Sequence, residues 1–140
     1  DTSVPTTAAV INYVTNNSGD GLLLRATFTA NGADDSFNIG TMPNIAGRAY
    51  YGARVKLKVN TAFSGGAFDH VLVKENGGAG ATIVAEPDAD ATVADTYVIE
   101  LDDDALTSGQ AVVVEFKQSG GTASAPTSGS MVAIVEYNWV

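Results

Sequence analysis

The residues with the most chemistry to offer are the acids between positions 86 and 104, which hold half of the sixteen Asp and Glu residues. Carboxylates are hard oxygen ligands, and calcium takes about six to eight of them, so Asp88, Asp90 and Asp102 are candidate calcium ligands. Their spacing does not match the calcium-binding loop of an EF-hand. We favour the alternative, in which these acids cap backbone amides in turns and discourage sheet edges from pairing.

Catalytic chemistry has little support in the sequence. His70 is the only histidine and follows Asp69 in a strand-like segment, where neighbouring side chains point to opposite faces and do not form a dyad. There is no cysteine, so a zinc site would depend on one histidine and carboxylates. No serine lies in a nucleophile-elbow pattern, and no glycine-rich stretch ends in the Lys-Ser/Thr of a phosphate-binding loop. We therefore expect a protein that is not an enzyme and needs no cofactor.

A row of cations occupies one segment, "ARVKLKVN" (53–60), in which Arg54, Lys56 and Lys58 alternate with aliphatic residues. This period of two predicts a strand with the cations on its wet face. Two interpretations are open. The row is either an ordinary solvated face, or a line of charges ~7 Å apart that pairs with an acidic row, on another surface or on the 86–104 region of a neighbouring copy.

The charge balance argues against two classes of partner. Sixteen acids against seven Lys and Arg give a net charge of −9, which repels nucleic acid and anionic membrane surfaces. No apolar run approaches the ~20 residues of a membrane-spanning helix. We expect neither nucleic acid nor a membrane as a partner, which leaves proteins, including copies of this chain.

Aromatic residues suggest a second kind of site. Tyr50, Tyr51 and Trp139 could form a platform for stacking sugars, as in carbohydrate-binding modules, although core packing is the stronger interpretation. The final run "MVAIVEYNWV" is apolar on both faces in its first half, which is typical of a strand inside a sheet. Its last aromatics, Tyr137 and Trp139, are candidates for a patch that another subunit covers.

Alternation and turn residues together predict the fold. Strand-like segments recur about every 8–15 residues and are separated by clusters rich in Gly, Asn and Asp. No helical pattern is sustained, and "DDDALTSG" (102–109) allows at most one turn of helix that Gly109 would end. We predict an all-β, single-domain antiparallel β-sandwich or jelly roll of about eight or nine strands over residues 8–140. Residues 1–7 are predicted to form a flexible arm, and "AAVINYV" (8–14) a strand.

The order of several short motifs resembles small β-rich virion structural proteins of tailed bacteriophages. The motifs are Thr61-Ala62-Phe63, "TYVIEL" (96–101), "LTSGQAVVV" (106–114) and Val135-Glu136-Tyr137, within residues 54–140. The resemblance implies a jelly-roll or sandwich module that decorates a capsid or belongs to a tail or fibre, usually as a trimer or another symmetric assembly. It brings no catalytic residues.

From the resemblance we expect a capsid decoration (cement) protein on the capsid surface, with other copies of itself and the major capsid protein as partners. The alternative is a carbohydrate-binding or receptor-binding module of a phage tail or fibre, or of a secreted protein. In a decoration protein, the predicted arm (residues 1–7) and one end of the sandwich would bind the capsid surface. The candidate interface residues are Thr2, Ser3, Val4, Pro5, Arg54, Lys56, Lys58, Tyr137 and Trp139.

Overall fold

All regular structure in the computed structural model is β-strand across the residues that it describes, which are 22–68, 70–75, 82–84, 89–117 and 123–140. Within these ranges no helix is long and apolar enough to cross a membrane. The predicted arm (1–7) and the predicted strand at 8–14 lie outside the described residues. The strands are β1 (Leu23–Thr29), β2 (Ser36–Thr41), β3 (Tyr50–Ser64), β4 (His70–Glu75), β5 (Thr82–Val84), β6 (Thr96–Leu106), β7 (Ala111–Lys117) and β8 (Ser128–Trp139).

The eight strands form two four-stranded sheets. The first sheet has the order β1-β8-β3-β6, and the second has the order β2-β7-β4-β5. Every strand pairing is antiparallel. The predicted all-β antiparallel architecture is therefore confirmed, in a sandwich-like arrangement of two sheets.

One hydrophobic core joins the two sheets, and phenylalanine rings form its centre. Phe116 of β7 lies 4.8 Å from Phe63 of β3 and 5.6 Å from Phe28 of β1, measured between ring centroids. Phe28 also stacks on Phe37 of β2 at 4.7 Å. Aromatic pairs at these distances add to the stabilisation that burial provides. These rings therefore hold the inner faces of the two sheets together.

The final strand is central, as its two-sided apolar pattern predicts. β8 lies between β1 and β3, and Met131, Ala133 and Val135 are fully buried on its inner face. The last residue is also held, because the N–H and C=O of Val140 both form hydrogen bonds with the backbone of Ala49, at 2.9 and 3.2 Å. Pairing on both sides and burial of the inner face therefore keep this apolar run covered.

The segment 102–109, for which the sequence allowed at most one helical turn, contains none. β6 continues through it to Leu106, which is in register with Tyr50 of β3. A bulge interrupts the strand, and Asp102 takes the left-handed backbone conformation (φ 49°) that Asp tolerates better than most residues. Pairing with the long strand β3 decides the structure here, since the local signal for a helix was a single turn.

The second sheet differs from what its sequence predicts, because the alternation in "AVVVEFKQ" (111–118) indicates a strand, here β7, with one buried face and one face exposed to water. Val113, on the face of β7 that points away from the core, is only 4 % exposed. Leu72, on the same face of the neighbouring strand β4, is 9 % exposed, and neither residue belongs to the inner core cluster. The two central strands of the second sheet are therefore buried on both faces.

Candidate functional site

The outer face of the first sheet brings cations and apolar side chains together from three strands. Arg25 of β1, Ile134 of β8 and Lys56 of β3 are in register across the sheet. One step further along, Lys58 of β3 is in register with Val132 of β8. Residues in register on one face of a sheet are neighbours, so this face combines positions that are more than 100 residues apart in the chain.

Two of the three predicted cations of β3 are paired with acids on the same face. Arg54 Nε lies 3.2 Å from Glu136 and 3.6 Å from Glu100, and Lys56 Nζ lies 3.0 Å from Glu136. These side chains are 28–60 % exposed, so water weakens each pair to a contribution of about 1 kcal/mol or less. Pairing nevertheless balances the charge at this end of the face.

Arg25 and Lys58 are different, because no acidic side chain in the described part of the chain lies within 4.0 Å of either. They border a shallow depression of about 320 Å³, together with Asn60 and Thr96. Val132 and Ile134 of β8, which are half-buried, also line it. We call Arg25, Lys58, Val132 and Ile134 the basic patch.

Arg25 was not predicted to be part of this site. Its segment, "LLLRATFTA" (22–30), is less regular in its alternation than the β3 segment, and Arg25 is the only cation in it. The contact with β8 that brings Arg25 to the patch has no local sequence signal. What the patch offers chemically is two cations beside an apolar surface, which suits a partner that presents carboxylates next to aliphatic groups.

Of the three candidate calcium ligands, the structure describes Asp90 and Asp102. Asp88 lies outside the described residues. Asp90 accepts hydrogen bonds from the backbone N–H (2.8 Å) and hydroxyl (2.6 Å) of Thr92, which is a turn-capping role, and Asp102 lies in the bulge of β6. Among the residues that the structure describes, no three His, Asp or Glu side chains are placed to hold a metal ion.

Two buried polar side chains of the second sheet, His70 and Glu75, lie at opposite ends of β4. His70 begins β4, in register with Lys117, and is 6 % exposed. Glu75 at the other end of β4 is also 6 % exposed and accepts hydrogen bonds from the backbone N–H and the hydroxyl (2.9 Å) of Thr107. Glu75 therefore fastens the turn between β6 and β7, a role that nothing in the local sequence indicates.

Within the described part of the chain, Tyr50, Tyr137 and Trp139 do not form an exposed line of aromatic rings. Tyr50 is 2 % exposed and packs edge-on against Tyr137, with 6.0 Å between the ring centroids. Burial, with a further contribution from Tyr50, raises the pKa of Tyr137 above its ordinary value of 10.0. Trp139 is half-buried, and the guanidinium carbon of Arg48 lies 4.4 Å from its ring centroid. Of the two C-terminal aromatics predicted at an interface, Tyr137 thus belongs to the core of its own chain.

The remaining interface candidates, Thr2, Ser3, Val4 and Pro5, lie outside the described residues. Comparison with known proteins assigns no family: no family model matches the chain, and no curated protein matches it.

Proposed function

We propose that this chain is a non-enzymatic structural protein of a tailed-phage virion, and more specifically a capsid decoration protein. It assembles as a trimer on the capsid surface and stabilises the shell. The observation that carries the proposal is the basic patch, an exposed surface suited to binding acidic protein, on a β domain whose net charge is −9.

The connectivity of the strands supports a jelly roll as the fold of this domain. A jelly roll is a long hairpin rolled up into two sheets, so its first strand pairs with its last and each following strand pairs one step inward. The pairs β1–β8, β2–β7, β3–β6 and β4–β5 are all present. Viral capsid domains use this architecture widely.

The charge distribution supports a role on the outside of a particle. A strongly acidic chain stays soluble at high concentration and does not bind the packaged genome. A stable contact with a shell then needs a local surface where the repulsion between acidic proteins is reversed. The basic patch provides this, because Arg25 and Lys58 are exposed and Val132 and Ile134 supply apolar area beside them.

The test uses heads of the phage that encodes the chain, prepared from a deletion mutant that lacks its gene. Purified protein is added to these heads, and the bound copies are counted after sedimentation. We expect saturable binding in multiples of three copies per site and a higher temperature of head disruption. Phage tails from the same lysate serve as the matched control surface.

Binding to tails but not to heads would contradict the capsid assignment and favour a tail or fibre protein. No binding to either particle, with the purified protein correctly folded, would contradict a virion role altogether. Deleting residues 1–7 tests the predicted arm: we expect weaker binding to heads with an almost unchanged unfolding temperature. Unchanged head occupancy would remove the arm from the proposal.

A further inference from the structure

The first sheet contains two surfaces of opposite charge. On its outer face four cations, Arg25, Arg54, Lys56 and Lys58, stand against two acids, Glu100 and Glu136, which leaves a surplus of two positive charges. Because the two acids pair with Arg54 and Lys56, the surplus is concentrated on the basic patch. The chain as a whole is strongly negative, at −9.

The negative surface is the edge of the same sheet. β6 is the outermost strand there, and in the described structure no further strand of the sheet pairs with it. Asp102 and Asp104 are exposed on it, and no Lys, Arg or His occurs anywhere between positions 75 and 116. The bulge at Asp102 interrupts the pairing with β3, which resumes at Asp104. We call Asp102 and Asp104 the acidic edge.

Within one chain these two surfaces are too far apart to neutralise each other. Lys58 is in register with Thr96, whereas Asp104 is in register with Gly52. The stretch of β3 from Gly52 to Lys58 spans about 20 Å at the usual rise of a strand. That distance exceeds the Debye length of about 8 Å at physiological ionic strength, so each surface retains its charge for an external partner.

We propose that the basic patch of one copy of this chain binds the acidic edge of a second copy. The proposal rests on the proposed function, since it names the surfaces through which the trimer forms. The complementary surface is present on the chain itself. A contact of the patch with itself is disfavoured, because it would bring Arg25 and Lys58 of one copy against the same cations of the other.

The contact joins two different surfaces, so it is heterologous. A heterologous contact builds head-to-tail assemblies, which become symmetric when they close into a ring. An open chain of copies keeps one unused patch at one end and one unused edge at the other until a ring closes. A trimer closed in this way buries all three patches and all three edges. Val98 of β6, which is 53 % exposed, adds apolar area along the strand that carries the edge.

The experiment is a charge swap, followed by light scattering over a range of concentrations at low ionic strength. We expect R25E/K58E and D102K/D104K each to raise the dissociation constant of self-association by at least ~10-fold, because each places like charges across the contact. The decisive variant carries all four substitutions. It should associate again, within ~3-fold of the unmodified chain, because its reversed patch and reversed edge are complementary.

Two further variants separate this contact from general effects. D34K/D35K changes the net charge by the same amount as D102K/D104K, at acids of the β1–β2 loop, and should weaken association less than the edge variant does. D102N/D104N removes the edge charges without reversing them, and should give an intermediate loss of association. It also replaces D102K/D104K if lysine in the left-handed conformation of residue 102 prevents folding.

Three results would overturn the proposal. The first is an unmodified chain that stays monomeric at every concentration. The second is a four-substitution variant that associates as weakly as either charge-reversed pair, and the third is an equal effect from D34K/D35K. Head binding distinguishes this failure from failure of the proposed function. If the protein saturates the heads but its self-association is unaffected by the charge swap, it is a decoration protein that assembles through another surface.

Discussion

The outer faces of the two sheets use similar side chains in opposite ways. On the second sheet, Glu115 is only 13 % exposed and pairs with Lys74 at 2.7 Å and with Lys117 at 3.6 Å. Leu72 and Val113 are buried beside these groups. On the first sheet, the ion pairs are more exposed and two cations have no acidic neighbour in the described residues.

This difference indicates that alternation of apolar and polar residues along a strand does not by itself show that the polar face is exposed to solvent. In the second sheet the outward-pointing residues contribute to stability, because burial makes their packing and their ion pair costly to remove. In the first sheet the outward-pointing residues contribute little to stability and remain available for binding. A face with exposed, unbalanced charge is the better candidate for function.

Removing apolar volume from the two outer faces should separate them most clearly. Leu72→Ala should lower the free energy of unfolding by about 2–3 kcal/mol, since the site is almost fully buried. Ile134→Ala, on the half-buried face of the first sheet, should cost about 1 kcal/mol. Urea unfolding of the two variants measures both values. Equal losses would show that the two outer faces are equally packed, which would contradict the difference between the two sheets.

A smaller difference is expected between the two central acids. Glu115→Gln leaves Lys74 half-buried without its carboxylate and should cost about 1–2 kcal/mol. Glu136→Gln, in the exposed network with Arg54 and Lys56, should cost less than about 1 kcal/mol. Thermal unfolding at low and high salt checks both, and added salt should reduce the effect at Glu136 more than the effect at Glu115.

Alkaline pH should loosen the first sheet before the second. Burial raises the pKa of Tyr137 and of Tyr97, with nearby Asp90 adding to the rise at Tyr97. The folded chain then keeps its phenol protons when the unfolded chain has lost them. Stability is therefore fully present below pH 10.0, the ordinary pKa of tyrosine, and is lost as pH rises through the higher values of the folded state.

Measuring the free energy of unfolding between neutral pH and about pH 11, roughly one unit above the ordinary tyrosine pKa, tests this decline of stability with pH. Tyr137→Phe should make the decline shallower, because phenylalanine has no proton to lose. Hydrogen exchange then locates the effect, and we expect amides of β8 to lose protection at a lower pH than amides of β7. Simultaneous loss in both strands would contradict a difference between the sheets.

A weaker effect should be seen in binding rather than in stability. Glu136→Gln releases Arg54 and Lys56 from their shared acid and makes the first outer face more positive. Self-association through the basic patch should then strengthen about 2–5-fold at low salt. Light scattering measures this change, and weaker association would mean that Glu136 itself takes part in the contact.

Much of the fold could be predicted because its signals are local. The alternation around Val55 and Lys56 identified β3, and the two-sided apolar run around Val132 and Ile134 identified a central strand. The sequence allowed at most one helical turn at 102–109. None forms, because its capping residues give only a weak local preference, which pairing between β6 and β3 overrides. The exposed face expected for β7 was wrong because burial depends on what packs against a strand.

The candidate site was predictable only in part. The row of Arg54, Lys56 and Lys58 was visible in the sequence, but which of them is paired depends on Glu136 and Glu100 from other strands. Arg25 has no signal in its own segment that connects it to the row. Its place beside Ile134 follows from the register between β1 and β8.

The strand periodicity, the turns, the acidic charge balance and the need to cover the C-terminal run can be read from the amino-acid sequence, since they depend on residue types and on residues close together in the chain. Three features follow from the folded structure instead: Arg25 and Lys58 share one face with Val132 and Ile134, Arg54 and Lys56 are paired, and both faces of β4 and β7 are buried. The physical reason is that a period of two assigns each side chain to a face, whereas strand partners and register are set by contacts between distant segments.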